Sequence, residues 1–166
     1  GDAVQLGQCS DVLALAVNLT LSPHGTVGAA SAGMLSVHGR CRTLDARADG
    51  YVRSENVAAA LLQSSSEPAV VLCSRAVLQD GRSASLTAPN GAAQRTLLRT
   101  TLARATPARR KVACAELHGT GTSLGDPTEV ASLVTAHGSA ECVGALAMGA
   151  AKANVGHSEA ASGQVG

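Results

Sequence analysis

Phenylalanine and tryptophan are absent from this 166-residue chain, and Tyr51 is its only aromatic residue. Any core must therefore be aliphatic, with helices and strands packed closely through Ala, Val, Leu and Gly. An apolar content of 45% over this length supports one globular domain with a sizeable core and excludes a disordered chain. Neither sign of charge dominates: 13 basic against 12 acidic side chains leave a net charge of +1. That balance excludes a general attraction to nucleic acid or to an anionic membrane. One basic cluster exists, Arg104 with Arg109, Arg110 and Lys111. It reads as a solvated helix end and loop, with a docking patch for an acidic partner as the alternative.

Paired cysteine motifs are lacking too. Cys9, Cys41, Cys73, Cys114 and Cys142 are odd in number, widely separated and form no C-x-x-C pair. Neither a zinc site nor a disulfide framework is indicated, no metal is called for, and reduced thiols in a cytoplasmic compartment are the simpler expectation. The apolar run 12–17 is far too short to span a bilayer, and nothing resembling a signal peptide opens the chain. An initiator methionine is missing as well, which leads us to expect a piece cut from a longer protein.

The common catalytic loops are also missing. Gly119, Gly121 and Gly125 invite comparison with nucleotide loops, but G-x-G-x-x-G would need glycine at Leu124, and no Gly-Lys-Ser/Thr follows. No G-x-S-x-G elbow is present, so a serine hydrolase lacks its nucleophile.

What the chain does contain alternates between strand and helix patterns. Residues 10–20 are apolar on both alternating faces, as expected of a strand covered on both sides, and Pro23 closes it. Small residues at 26–32 suggest a short helix ending at Gly33, and 36–50 reads as a loop. Residues 51–62 and 69–78, separated by a breaker at 64–68, suggest two adjacent strands. After Pro89 and the cap residue Asn90, Ala93, Leu97, Leu98 and Leu102 fall on one face of a helix reaching Arg104. A strand at 111–117, a helix at 126–137, a strand at 143–151 and a helix from near Ser158 complete a pattern that argues for a layered α/β fold.

Two glycine-rich turns organise this pattern: Glu116-Leu-His-Gly-Thr-Gly-Thr-Ser-Leu-Gly-Asp-Pro-Thr-Glu129, and Lys152-Ala-Asn-Val-Gly-His157. Each follows an apolar run, which places His118 and His157 at strand ends, where ligands of α/β sheets collect. Taken alone each histidine reads as structural; the shared context marks the pair. Two imidazoles and a lysine without a nucleophile could donate hydrogen bonds to an oxygen as negative charge develops on it. Asp126-Pro-Thr-Glu129 has the form of a capping box, with Asp126 at the cap, Pro127 at the first helical position and Glu129 at the third.

Several stretches in order resemble the β-ketoacyl synthase domain of modular polyketide and fatty-acid synthases. They include Val17-Asn-Leu-Thr-Leu-Ser-Pro23, Gly39-Arg-Cys-Arg-Thr-Leu-Asp-Ala46, Ala48-Asp-Gly-Tyr-Val-Arg53, His118-Gly-Thr-Gly-Thr122, Gly125-Asp-Pro127 and Lys152-Ala-Asn-Val-Gly-His157. The resemblance implies a thiolase-like α/β/α fold, incomplete, with residues 1–68 as the end of its first half and 69–166 as the start of its second. It implies an acyltransferase that catalyses decarboxylative Claisen condensation of acyl and malonyl thioesters in polyketide or fatty-acid biosynthesis. His118 and His157 match the family's two histidines, which assist loss of carbon dioxide and stabilise the enolate. Lys152 matches its lysine and by analogy pairs with Glu129. Thr120 and Thr122 match threonines that contact the phosphopantetheine arm, and a turn-stabilising hydroxyl is the alternative. No cofactor is bound directly, since substrates arrive on the phosphopantetheine of acyl carrier protein; a homodimer of full domains is also implied.

The match has gaps. The family's Thr-Ala-Cys-Ser-Ser nucleophile segment is not in this sequence, and Cys9 resembles a position in the following strand, so the nucleophile is expected before Gly1 and the isolated chain is expected to be inactive in condensation. The other four cysteines read as small buried or semi-buried hydrophobes. The glycine-rich segment that completes the oxyanion hole is expected after Gly166. Ser54 and Asn56 replace usual glycines, Leu44 a usual phenylalanine, and 64–68 shortens a longer connection. The alternatives are a non-catalytic or decarboxylase-only thiolase-fold domain, or a thiolase.

Overall fold

The computed structural model describes residues 2–65, 70–85, 88–106, 111–139 and 145–166. A short helix α1 (Asp2–Gln5) leads into β1 (Asp11–Asn18), which pairs antiparallel with β2 (Asn56–Gln63) in a register that sets Leu13 opposite Leu61, Leu15 opposite Ala59 and Val17 opposite Val57. Alternate residues of a strand share a face, so these positions line one side of the ribbon. That side is exposed at Leu13, Leu15, Val17, Val57 and Leu61, whereas the other packs on the chain's last turns. The expectation of a strand covered on both sides is therefore corrected: among the described residues only one face is covered.

Pro23 does not close β1. The strand ends at Asn18, and Pro23 opens α2 (Pro23–Ser31), where its missing N–H and fixed φ suit the first turn while Ser22 accepts from the His24 amide. Gly33 follows in the left-handed conformation (φ 67°), as the sequence led one to expect. Residues 36–50 form no helix or strand. The loop is tied down instead: Leu35 and Tyr51 form an isolated parallel bridge, and Leu44 takes a positive φ of 59° with its amide held by Asp126.

Residues 70–78 form no strand, contrary to the apolar pattern; residue 69 lies outside the described residues. Val70, Val77 and Leu72 are exposed, so these side chains find no covering layer among the described residues, and β-forming side chains without such a surface do not fix a strand. The helix after it does form. In α3 (Gly91–Arg104) the Asn90 carboxamide oxygen accepts from Ala92 and Ala93, both at 3.1 Å, and Ala93, Leu97, Leu98 and Leu102 are half-buried on one stripe. Then come β3 (Cys114–Glu116), α4 (Gly125–Ser139) and β4 (Ala147–Gly149), a βαβ unit in which β3 and β4 run parallel with Ala115 opposite Met148. Helix α3 lies on α4, close enough at Gly91 for the fully buried Ser132 hydroxyl to reach the Gly91 carbonyl. The chain closes with α5 (Lys152–Val155), a 3-10 turn (Glu159–Ala161) and α6 (Ser162–Val165).

The core is made of small residues, as the missing aromatics require: Ala29, Cys41, Leu117, Ala136 and Ala161 are buried. Two of the expected buried cysteines, Cys73 and Cys114, are exposed instead, and Cys142, Arg109 and Arg110 lie outside the described residues. Cys114 is exposed because it sits on the outward face of a three-residue strand whose alternate residue, Ala115, points in. Arg104 donates to the Arg75 carbonyl, which ties the end of α3 to the irregular 70–78 segment. Replacing the cap, Asn90→Ala, is expected to cost about 1 kcal/mol and to speed amide exchange at Ala92 and Ala93, read from urea midpoints and hydrogen exchange.

Candidate active site

Leu117 donates to the Gly149 carbonyl and extends the β3–β4 pairing by one residue, so His118 leaves the sheet at its carboxyl edge. The amides of His118, Gly119 and Gly121 find carboxylates. Glu129, in the first turns of α4, accepts from His118 through one oxygen at 2.6 Å and from Gly119 through the other at 3.0 Å. Asp126, only 3% exposed, accepts from Gly121 and from Leu44. The glycines are required by space and by backbone: Gly119 has φ 47° and a Cβ there would lie 2.6 Å from that of Ala150, while Gly121 has φ 75° and a Cβ would meet the Arg42 amide. The capping box is thus corrected. Helix α4 begins at Gly125, whose amide is taken by the Thr122 hydroxyl, and both acidic side chains point away to the loop amides, which no other group in the turn satisfies.

Lys152 opens α5, three residues past β4, and is 6% exposed. The Glu116 carboxylate accepts from the Ala151 amide at 2.6 Å and pins this turn to β3. Among the ion pairs of the described residues none joins Lys152 to Glu129, whose two oxygens accept from the His118 and Gly119 amides. It is therefore Lys152, and not His157, that repeats the strand-to-turn placement of His118. His157 reaches the site differently, through an isolated parallel bridge with Arg53: its amide donates to Val52 at 2.7 Å and its carbonyl accepts from Ser54 at 3.0 Å.

These routes converge. The rings of His118 and His157 meet edge to face, with centroids 5.4 Å apart and planes at 86°. Tyr51 also packs edge-on against His157, with ring centroids 5.0 Å apart. Burial, the neighbouring His118 and the Lys152 ammonium, opposed by Glu159, push the pKa of His157 down to about 4. Burial and Lys152 also lower that of His118, with Glu129 and Asp126 opposing, although the residue as a whole keeps contact with solvent. Both imidazoles are therefore neutral at pH 7. Nδ1 of His157 accepts from the Glu159 amide at 3.0 Å, so its proton resides on Nε2 and that N–H is free to donate. Thr120 is buried and Thr122 half-buried, and the Thr122 hydroxyl is engaged in starting α4. Cys41 is buried, its thiol pKa raised chiefly by desolvation, which suits a structural residue. A nucleotide or metal site is not what this arrangement resembles; it offers hydrogen-bond donors and one buried cation.

Comparison with known proteins decides the family. Residues 1–68 match the N-terminal domain of β-ketoacyl synthases, and residues 69–166 match the C-terminal domain of the same enzymes. The chain belongs to the β-ketoacyl synthase family. Among similar proteins, one component of the phenolphthiocerol/phthiocerol polyketide synthase of Mycobacterium tuberculosis is 41% identical over 156 residues, covering 90% of this chain and 7% of that protein. Erythronolide synthase EryA2 of Saccharopolyspora erythraea is 39% identical over 171 aligned positions, covering 99% of this chain and 5% of its own length. The oxazolomycin ketosynthase domain OzmH KS7 of Streptomyces albus superposes with a TM-score of 0.91 at 35% identity, over 99% of this chain and 30% of that one. The ketosynthase from module 6 of the bacillaene synthase of Bacillus subtilis gives the same TM-score at 29% identity. This ketosynthase chain thus spans about 30% of the solved domains and a much smaller share of the curated synthases. Its fold is the thiolase-like layered α/β architecture of those domains, seen in part, and neither a thiolase nor a silent thiolase-fold protein is favoured.

The residues missed at the sequence level are those that support the imidazoles: Tyr51, Arg53 and Glu159 around His157, and Asp126 as a partner of the loop rather than of its own helix. Tyr51 carried one signal, its being the single aromatic residue. Asp126→Ala should leave two N–H groups without an acceptor and cost about 3 kcal/mol, with Asp126→Asn costing less, measured by denaturant unfolding. Because the pKa of His157 is lowered on folding, the unfolded chain binds the proton first. Stability should therefore decline as pH falls from about 6.5 to about 4, His118 adding in the same direction, and His157→Gln should flatten that slope. Loss from Glu159, whose carboxyl Arg53 holds below its usual range, sets in as pH falls past about 4.5 and so adds at the acid end of that window.

Proposed function

We propose that this chain supplies the decarboxylation and enolate-binding part of a β-ketoacyl synthase that condenses acyl and malonyl thioesters. The observation that carries this reading is the edge-to-face pair of neutral imidazoles, His118 and His157, beside the buried ammonium of Lys152 in a member of that family. When the bond between the malonyl α-carbon and its carboxylate breaks, carbon dioxide leaves and the electron pair moves onto the thioester, giving an enolate. Its oxygen accepts hydrogen bonds from the two imidazole N–H groups, and donors already in place need no reorganisation as the charge forms. The enolate carbon then attacks the acyl thioester held by a cysteine, and the cysteine thiolate departs.

Lys152 acts through its charge: it adds to burial in keeping both imidazoles neutral and favours an anion nearby. Glu129 acts through the backbone of His118, so its part is positioning. Thr120 and Thr122 lie on the turn beside His118 and would contact the phosphopantetheine arm of acyl carrier protein, the partner that delivers both thioesters. No other cofactor enters this scheme. The names of the relatives, polyketide synthases, support a polyketide assembly line. We read residues 1–68 as the end of the first half of the domain and 69–166 as the start of its second, the whole acting as a homodimer. The chain alone is inactive in condensation, since it contains no Thr-Ala-Cys-Ser-Ser segment. Among the described residues no helix is long and apolar enough to cross a membrane.

The test is a chimera in which this chain replaces the equivalent stretch of a solved ketosynthase, where the superposition covers 99% of it. His157→Ala should lower malonyl decarboxylation at least ~100-fold, the usual loss for one oxyanion donor. Undiminished carbon dioxide release from a folded variant would overturn the assignment.

A further inference from the structure

Glu159 is one of two non-glycine residues with positive φ among the described residues, at 42°, a conformation disfavoured for any residue with a side chain. Its carboxylate is gripped at both oxygens by Arg53, Nε to Oε1 at 2.7 Å and Nη2 to Oε2 at 3.1 Å. Arg53 is itself fixed. Its side chain is 13% exposed, Nη1 donates to the Thr26 hydroxyl at 2.8 Å, and Gly25 leaves room for the guanidinium, which would stand 3.1 Å from a Cβ there. Arg53 is also the bridge partner of His157, so the guanidinium and the imidazole hang from the same pair of backbone hydrogen bonds. The strained residue, in turn, is the one whose amide meets Nδ1 of His157.

We propose that the Arg53–Glu159 ion pair is a positioning device for His157: it holds Glu159 in its left-handed conformation, so that the Glu159 amide faces Nδ1 and permits only the tautomer with the proton on Nε2. With the proton on Nδ1, two donors would face each other without an acceptor, and the ring would present a lone pair instead of an N–H to the substrate oxygen. Arg53 and Glu159 touch no reacting atom, and their catalytic meaning rests on the role given to His157 above. The tautomer itself can be read without any reaction. A bidentate guanidinium–carboxylate pair suits this task because its planar geometry fixes direction as well as distance.

The experiment uses the chain labelled with nitrogen-15 in its histidine rings, with long-range proton–nitrogen correlations recorded at neutral pH. The wild-type chain should show His157 as a single Nε2–H tautomer. Glu159→Ala and Arg53→Met should each replace that pattern with a mixture in which the Nδ1–H form is detected, while the His118 signals stay in place. Glu159→Gly, which adopts a positive φ without side-chain help, should keep more of the Nε2–H form than Glu159→Ala does. If either strong variant loses its dispersed amide spectrum, Arg53→Lys takes its place, because it keeps the charge and loses the two-point grip; it should give an intermediate mixture. An unchanged single tautomer in the folded Ala, Met or Lys variants overturns the proposal, and so does a Gly variant as mixed as the Ala variant. Neither result would touch the decarboxylation assay of His157→Ala, so the device can fail while the proposed function stands.

Discussion

The site depends on two carboxylates that serve backbone amides. Asp126 and Glu129 stand in the first turns of one helix, and between them they accept from four N–H groups of the turn after β3 and the loop that crosses it. Amides in a tight glycine turn point the same way and cannot pair with each other, so they need an outside acceptor when water is excluded. A charged acceptor answers this best, and charge-assisted hydrogen bonds hold direction well. The direction of the His118 side chain follows from that anchoring, as does the close approach of Gly119 to Thr43 and Ala150.

His157 is held by a different strategy. Its backbone is pinned to the 52–54 segment, its ring meets those of both Tyr51 and His118, and its Nδ1 is occupied by an amide. One imidazole is thus placed by helix-borne carboxylates and the other by a backbone bridge with an ion pair behind it. The two supports come from distant parts of the sequence, with Arg53 and Glu159 separated by 106 positions. The site therefore forms only when the early and late parts of the chain have come together, and its geometry reports on tertiary structure rather than on any single element.

Much of this was legible in the sequence, for physical reasons that can be named. Helix α3 was readable because Asn90 caps it and its leucines repeat at helical spacing; β1, α4 and the strands β3 and β4 were readable from apolar runs and glycine turns. His118, His157 and Lys152 were brought together as the motifs suggested. The failures came where a local pattern competes with a longer-range partner. The 70–78 run has strand composition but pairs with no strand among the described residues. The Asp126-Pro-Thr-Glu129 box is a good local cap, yet both carboxylates are drawn off by amides elsewhere, a choice no window of sequence shows. The Arg53–Glu159 pair is equally invisible, since neither residue has a charged neighbour that would suggest the other.

The solitary phenol of Tyr51 has a spectroscopic corollary. With no indole anywhere and no second phenol, all intrinsic ultraviolet emission from this protein originates at one ring, and that ring lies against His157. An ordinary fluorimeter therefore observes a single address. Changes in emission on titration or on adding a thioester would arise within a few ångströms of the imidazole pair, without any label being attached.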